Sequence, residues 1–201
     1  MLTHFRADYE RISISFGKAS LKLGLKPDFW TIYSLVVAVV ACIIIADGKF
    51  GWGLVLVIVM NVTDMMDGAT ARAGNLGSPF GSVFDHTSDR YGEFLLMAGL
   101  LLGGWISPFT AMFTASGIVM ASYVRAKAES VGGMKHCVVG IAGRQEKLIL
   151  VMGGLVLFTL GLTTWGEIAI LLAGLISHIT TLQRLLYARR VILGKDFQQL
   201  K

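Results

Sequence analysis

Apolar residues along this chain occur in six long runs, without the spacing of an amphipathic helix or an alternating strand. An α-helix needs roughly 20 residues to cross a bilayer, and the runs are close to that length. We therefore predict an all-α, polytopic membrane protein with six transmembrane helices, at residues 29–47, 51–72, 82–103, 107–126, 146–163 and 166–188. The short connections leave no room for a separate soluble domain. Residues 1–201 should form one integral membrane domain, with its helical bundle at 27–190.

Residues 1–26 have a different pattern, in which basic and apolar residues alternate. Arg11, Lys18 and Lys22 intersperse with Ile14 and Phe16. Such a segment is typical of a short amphipathic helix that lies on the membrane surface before the first span. A solvated, disordered tail is the alternative interpretation.

Composition agrees with a membrane protein and indicates its orientation. Of the 201 residues, 54% are hydrophobic and 15% charged, and the mean hydropathy is +0.67. Lysine and arginine concentrate in the N-terminal segment, the second and fourth connections and the C-terminus, whereas the opposite loops offer only Lys49. The positive-inside rule then places both termini in the cytoplasm of a multi-pass cell-membrane protein. The net charge of +5 suits anionic lipid headgroups, so nucleic acid is not implied.

Four aspartates interrupt the second and third predicted spans: Asp64, Asp67, Asp85 and Asp89. A carboxylate near the bilayer centre costs about 2.5–3.5 kcal/mol on insertion scales, so something should compensate for the four. At helical spacing each pair lies on one face, and the short turn-rich segment 74–79 makes the two helices antiparallel neighbours. The four carboxylates can therefore converge. An all-oxygen set favours Mg²⁺ or Mn²⁺, and four charges can hold two ions, an arrangement suited to phosphoryl displacement.

Small residues and one arginine share these acidic faces. Gly68 and Ala71 lie on the stripe of the second span, and Gly81 lies on that of the third. They leave space for a flat ligand, although small residues also serve close helix packing in membranes. Arg72, one turn beyond Gly68, is placed for a phosphate, although it is also a plausible positive-inside flanking charge.

The combined pattern Asp64-x2-Asp67-Gly68-x2-Ala71-Arg72-x8-Gly81-x3-Asp85-x3-Asp89 resembles, without a departure, the motif of the CDP-alcohol phosphotransferases. The resemblance extends over roughly 27 to 190. Pro27-Asp28-Phe29-Trp30-Thr31 is also similar to the family's Pro-Asn-x-x-Thr opening, with Asp in place of Asn. Thr31 is equally well explained as a helix-start residue.

The resemblance implies a six-helix membrane enzyme that transfers a phosphate-linked group from a CDP-activated donor to an alcohol, releasing CMP. By this resemblance the four aspartates would hold two divalent ions, Mg²⁺ or Mn²⁺, and Asp89 would accept the proton of the attacking hydroxyl. A homodimer is also implied. The residues expected to contact the CDP-lipid are Thr31, Asp64, Gly68, Ala71, Arg72 and Gly81.

Basic residues elsewhere suggest a second anionic ligand. Arg125, Lys127, Arg144 and Arg184 lie on the predicted cytoplasmic side, and a phosphorylated alcohol suits them better than serine or choline, which carry an ammonium group. Positive-inside charge and an Arg125–Glu129 pair at i+4 are the alternative explanation. The surrounding segments are similar to the inositol-phosphate-using branch, the phosphatidylinositol phosphate synthases and their archaeal counterparts, in which matching positions bind the acceptor phosphate.

The leading hypothesis is therefore a reaction of CDP-diacylglycerol or CDP-archaeol with inositol phosphate that gives a lipid-linked inositol phosphate and CMP. A second enzyme hypothesis keeps the donor and takes glycerol 3-phosphate as acceptor. A divalent cation transporter is the non-enzyme alternative, disfavoured because the acids lie off-centre beside Arg72 and the two halves do not resemble each other. A purely structural membrane subunit gives no reason for four facing carboxylates.

Overall fold

The structure, a computed structural model, describes residues 13–199, and side chains only as far as residue 194. All regular elements of this part of the chain are α-helices, which confirms the all-α prediction. They are α1 (13–22), α2 (Pro27–Ala46), α3 (Phe50–Gly74), α4 (Pro79–Leu102), α5 (Pro108–Ser130), α6 (Arg144–Thr159) and α7 (Thr163–Gln199).

Each of the six predicted spans falls on one of the helices α2 to α7. By length and composition, three helical segments within the described residues can cross a membrane: Pro27–Ala46, Phe50–Gly74 and Thr163–Gly194. The chain is therefore a membrane protein by its helices, while the count of six spans stays a prediction. α7 has 37 residues and continues well past the predicted end of the last span at residue 188.

The predicted N-terminal surface segment is described only in part, since residues 1–12 lie outside the described residues. Residues 13–22 do form a helix. Ser13, Gly17 and Ser20 are buried on one side of it, and Phe16 is exposed on the other. Gly17 lies against the backbone of Ala69 in α3, where a side chain would collide with the carbonyl oxygen. The position of this helix on a membrane surface stays a prediction.

Two compact units make up the chain, Met1–Gly99 and Leu100–Lys201. In the first unit α2 and α3 pack along each other, because a three-residue turn with Gly48 in the left-handed region reverses the chain. Within this contact Ile45 of α2 lies against Gly53 of α3, and the Ile45 side chain is fully buried.

α4 approaches both α2 and α3 closely through glycine. A Cβ at Gly99 would lie 2.6 Å from the carbonyl oxygen of Cys42, and one at Gly92 would lie 3.2 Å from the sulfur of Met60. Helices in membranes pack closely where small residues let their backbones meet. Such contacts hold the helices that bear the aspartates in a fixed relation within the first unit.

In the second unit α7 packs against both α5 and α6. Glu167, near the start of α7, accepts hydrogen bonds from the Ser107 amide at 2.8 Å and from the Thr110 hydroxyl at 2.8 Å. Deeper in the same contact, the buried Thr114 hydroxyl donates to the Ile170 carbonyl at 3.0 Å. These polar bonds fix α5 relative to α7.

Candidate active site

The turn between α3 and α4 sets the geometry of the aspartate site. α3 ends at Asn75, which adopts the left-handed conformation (φ 51°), and α4 begins at Pro79. Asparagine tolerates that conformation at a helix end, and proline favours a helix start. The Ser78 hydroxyl accepts a hydrogen bond from the Gly81 amide at 2.9 Å, which caps the new helix. The two acidic helices are therefore joined by a tight hairpin, as the sequence predicts.

Three of the four predicted aspartates come together. One carboxylate oxygen from each of Asp64, Asp67 and Asp85 lies within 4.8 Å of the other two. Asp67 is buried, with 7% of its surface exposed, and the other two are half-buried. An all-oxygen donor set from two facing helices fits a hard divalent cation, which would also offset the repulsion of three close negative charges. The predicted convergence of carboxylates is confirmed for these three residues.

Asp89 lies one turn further along α4 and is not a member of this three-carboxylate group within the described part of the chain. It is buried, with 8% of its surface exposed. Its Oδ2 lies 3.7 Å from Nη2 of Arg90, and the same nitrogen lies 3.0 Å from Oε1 of Glu93. Asp89 therefore has a cationic neighbour beside it.

The small residues and Arg72 occupy the remainder of the α3 stripe. Gly68 and Ala71 are half-buried, and Arg72 is exposed. A Cβ at Gly68 would lie 3.1 Å from Nη1 of Arg72, so the guanidinium folds back over the glycine. This conformation brings a positive charge close to the acidic stripe, at the surface of the helix. Gly81, the remaining small residue of the predicted set, lies in the first turn of α4 and is half-buried.

Thr31 makes a contact that the sequence did not predict. Its hydroxyl donates a hydrogen bond of 2.9 Å to Oδ2 of Asp67, across the α2–α3 contact. Both side chains are buried. A CDP-lipid contact and a helix-start role are the two predictions for Thr31 from the sequence, whereas the structure places it directly against one of the aspartates.

The predicted acceptor residues lie in the second unit. Nε of Arg125 donates to Oε1 of Glu129 at 3.1 Å, the i+4 pair that the sequence offers as the alternative explanation. Nζ of Lys127 lies 5.8 Å from the centroid of the Tyr123 ring. Arg144 is the first residue of α6 and is half-buried.

Arg184 is the most buried of the four, with 8% of its surface exposed. It donates from Nε to the Val139 carbonyl at 2.9 Å and from Nη1 to the Ala121 carbonyl at 2.6 Å. Two of its nitrogen atoms therefore donate hydrogen bonds to backbone carbonyls, one in α5 and one in the segment before α6. Its charge is held at a fixed position by those bonds.

The irregular segment 131–143 is attached to its neighbouring helices at several points. The Cys137 amide donates to Oε1 of Glu129 at 2.9 Å, and the Ile141 amide donates to Oε1 of Gln183 at 2.9 Å. Burial raises the pKa of Glu129, but hydrogen bonds from the Cys137 amide and the Arg125 guanidinium outweigh it and hold that pKa below its ordinary value. Glu129 thus remains ionised and fixes the segment that leads into Arg144.

Sequence reasoning missed Lys147 as a candidate. It lies one turn after Arg144 on α6, and only 6% of its surface is exposed. A buried lysine is rare unless its charge has a compensating group. The signal available in the sequence was its i+3 spacing from Arg144, on the same face of the helix.

Residues 25–188 match the family model of the CDP-alcohol phosphatidyltransferases, and the chain belongs to that family. It is 31% identical over 187 residues to the archaetidylinositol phosphate synthase of Methanothermobacter thermautotrophicus, with 93% of each chain covered. It is 36% identical over 156 residues to the phosphatidylinositol phosphate synthase of Mycolicibacterium smegmatis, with 74% of this chain and 69% of the relative covered.

Solved structures agree with the sequence relatives. The phosphatidylinositol phosphate synthase of Mycobacterium tuberculosis with CDP-DAG bound is similar at a TM-score of 0.78 and 27% identity, over 89% of this chain and 94% of that one. The same enzyme in complex with manganese and citrate is similar at a TM-score of 0.78 and 26% identity, over 88% of each chain. The family resemblance inferred from the aspartate motif is confirmed.

Proposed function

We propose that this protein transfers a phosphatidyl or archaetidyl group from a CDP-activated lipid, CDP-diacylglycerol or CDP-archaeol, to a hydroxyl of inositol phosphate and releases CMP. The observation that carries the proposal is the convergence of Asp64, Asp67 and Asp85 within a family of CDP-alcohol phosphatidyltransferases. The relatives named as archaetidylinositol and phosphatidylinositol phosphate synthases support inositol phosphate as the acceptor.

The reaction forms one phosphorus–oxygen bond and breaks another. The acceptor hydroxyl oxygen attacks the phosphorus that carries the lipid, and the bond from that phosphorus to the oxygen of CMP breaks. CMP leaves with the bonding electron pair, and the hydroxyl proton passes to Asp89. The base must stay unprotonated between turnovers in order to accept each proton.

Two divalent cations, Mg²⁺ or Mn²⁺, would be held by Asp64, Asp67, Asp85 and Asp89. The three clustered carboxylates fit such an ion because they offer oxygen ligands only, at mutual distances within 4.8 Å. When bound, the ions would supply charge neutralisation at the pyrophosphate and acidify the attacking hydroxyl.

The donor would bind along the α3–α4 hairpin. Gly68, Ala71 and Gly81 project no side chain larger than a methyl group from the helices, and Asp64 lies on the same stripe of α3 as the first two. The Arg72 guanidinium, already folded over Gly68, can donate hydrogen bonds to a phosphate of the CDP group. Thr31 lies beside this site, where its hydroxyl contacts Asp67.

The acceptor phosphate would be bound by Arg125, Lys127, Arg144 and Arg184. Arg184 contributes a fixed positive charge, since backbone carbonyls hold its guanidinium. Arg144 has the favourable position at a helix N-terminus, where backbone amides also attract an anion. Glycerol 3-phosphate is the alternative acceptor, because it presents the same kind of phosphate to the same residues.

In the cell membrane we propose six transmembrane helices within one integral domain, residues 1–201. Both termini and the active site would face the cytoplasm, with residues 1–26 on the membrane surface and a homodimer as the assembly. The distribution of lysine and arginine supports the orientation.

A competition experiment tests the acceptor. Purified protein with CDP-diacylglycerol and Mg²⁺ is given inositol phosphate and glycerol 3-phosphate at equal concentrations, and the lipid products are separated and identified by mass spectrometry. The expected product is the lipid-linked inositol phosphate. A product that contains only glycerol phosphate would instead assign the enzyme to the alternative acceptor.

A further inference from the structure

The hydrogen bond between Thr31 and Asp67 joins two helices at the carboxylate cluster. Thr31 lies one turn into α2, and Asp67 lies in the C-terminal half of α3, 36 residues later in the chain. Thr31 is 5% exposed and Asp67 is 7% exposed. Water therefore has little access to either group, and a bond between them is not readily exchanged for one to solvent.

The threonine hydroxyl has one hydrogen and two acceptors within reach. The Pro27 carbonyl, one turn earlier in the same helix, lies at 3.5 Å, and Oδ2 of Asp67 lies at 2.9 Å. The shorter distance and the negative charge of a carboxylate both favour Asp67. The hydroxyl therefore donates to Asp67, and its β-branched side chain has few rotamers in a helix with which to move away.

We infer that Thr31 is a positioning residue, which holds the Asp67 carboxylate in the orientation needed to bind a divalent cation. It acts on the reaction through Asp67 and makes no contact with the donor lipid. A carboxylate in a metal site has two oxygens, and a neutral donor that occupies one of them orients the other toward the ion. This inference rests on the proposed function, in which Asp67 is a metal ligand.

The alternative roles of Thr31 require different hydrogen bonds from its hydroxyl. A helix-start residue would lie at the N-cap and accept a hydrogen bond from a backbone amide, whereas Lys26 is the N-cap of α2 and Thr31 lies one turn inside the helix. A donor-lipid contact in which the hydroxyl donates would require it to turn away from Asp67. The positioning role uses the 2.9 Å bond that the structure contains.

The test measures Mn²⁺ binding by the full chain in detergent, without CDP-lipid, through the electron paramagnetic resonance signal of free Mn²⁺. Thr31→Val removes the hydroxyl and keeps the shape of the side chain, while Thr31→Ser keeps the hydroxyl. Loss of a group that supports a metal ligand typically weakens metal binding by about 10–100-fold, so Thr31→Val should raise the Mn²⁺ Kd by at least the lower figure. Thr31→Ser should stay near the wild-type value.

Thr114→Val is the matched control. Thr114 is also a buried threonine whose hydroxyl donates across a helix contact, from α5 to the Ile170 carbonyl of α7. Its substitution removes a comparable bond without touching an aspartate, so it should lower thermal stability and leave the Mn²⁺ Kd unchanged. If Thr31→Val does not fold, Thr31→Ala and Thr31→Ser are compared by the increase in melting temperature that Mn²⁺ produces. A smaller increase for Thr31→Ala than for Thr31→Ser supports the inference, and equal increases overturn it.

Asp67→Asn separates failure of the inference from failure of the proposed metal site. Unchanged Mn²⁺ binding in Asp67→Asn would contradict the metal site itself. Loss of binding in Asp67→Asn, together with unchanged binding in Thr31→Val, would keep the metal site and overturn the role of Thr31. A Thr31→Val protein that binds Mn²⁺ normally and CDP-lipid weakly would make Thr31 a donor-binding residue, which also overturns the inference.

Discussion

Asp67 takes part both in the carboxylate cluster and in the contact between α2 and α3. Its carboxylate accepts a hydrogen bond from Thr31 and lies within 4.8 Å of carboxylate oxygens of Asp64 and Asp85. Two unit charges at that distance repel by roughly 3 kcal/mol at an effective dielectric constant of about 20. One hydrogen bond to a charged group contributes about 1.5–3 kcal/mol and cannot offset two such repulsions. A cation bound by the three carboxylates would offset both repulsions.

The proposed base, Asp89, gives the first prediction at this scale. Asp89→Asn should lower kcat by about 10²–10⁴-fold, the usual contribution of a general base, while CDP-lipid binding persists. Steady-state CMP release and a separate donor-binding titration measure the two quantities. Asp47→Asn, at an exposed aspartate in the α2–α3 turn, is the control and should keep full turnover. Loss of donor binding in Asp89→Asn would make Asp89 chiefly a metal ligand.

Arg144 gives a prediction for the acceptor. Arg144→Ala should raise the KM for inositol phosphate by about 10–100-fold, since it removes a charge-assisted hydrogen bond to the acceptor phosphate, and should change the donor KM much less. Arg189→Ala makes the same change of charge at an exposed position of α7 and should alter neither constant. Equal effects on both KM values in Arg144→Ala would remove Arg144 from the acceptor site.

Among the elements, the α3–α4 hairpin was the most predictable part of the fold and of the site. Helical spacing alone placed Asp64 with Asp67 and aligned Asp85 with them, and the turn before Pro79 made the two helices neighbours. The contact of Thr31 with Asp67 was not predictable, because it depends on the register of α2 against α3. Periodicity along one helix carries no information on that register.

The contacts of the segment before α6 could not be predicted from the sequence either. The bonds of Arg184 to the Val139 and Ala121 carbonyls depend on how an irregular backbone folds, and basic residues alone do not specify this. The Arg125–Glu129 pair, by contrast, follows from i+4 spacing within a helix and was anticipated. Residue spacing thus predicted side-chain contacts within a helix well and those between separate elements poorly.

Close helix packing gives a prediction at the scale of elements. Gly99→Ala should destabilise the protein by about 1–3 kcal/mol, because the added Cβ would lie 2.6 Å from the Cys42 carbonyl and force α4 away from α2. Gly153→Ala is the matched control, a helical glycine with open space at the same position. It should cause no loss of stability, since alanine is the better helix former. Thermal unfolding in detergent compares them, and equal losses would contradict the packing argument.

For the molecule as a whole, the charge distribution predicts the orientation in the membrane. Lys49→Cys, between α2 and α3, should be labelled on intact cells by a membrane-impermeant maleimide, and Gly77→Cys, between α3 and α4, only after lysis. Both native cysteines are buried, so the unsubstituted protein gives a low background. The opposite labelling pattern would place the aspartate hairpin on the outer side of the membrane.

The central claim is that the carboxylate cluster supports metal-dependent transfer from a CDP-lipid. The most direct measurement is CMP release by the purified protein with CDP-diacylglycerol and Mg²⁺, across a panel of inositol phosphate, glycerol 3-phosphate, inositol and serine. CMP should appear with inositol phosphate and cease when the metal is chelated. Absence of CMP with every acceptor on the panel would contradict the assignment of this chain as a CDP-alcohol phosphatidyltransferase enzyme.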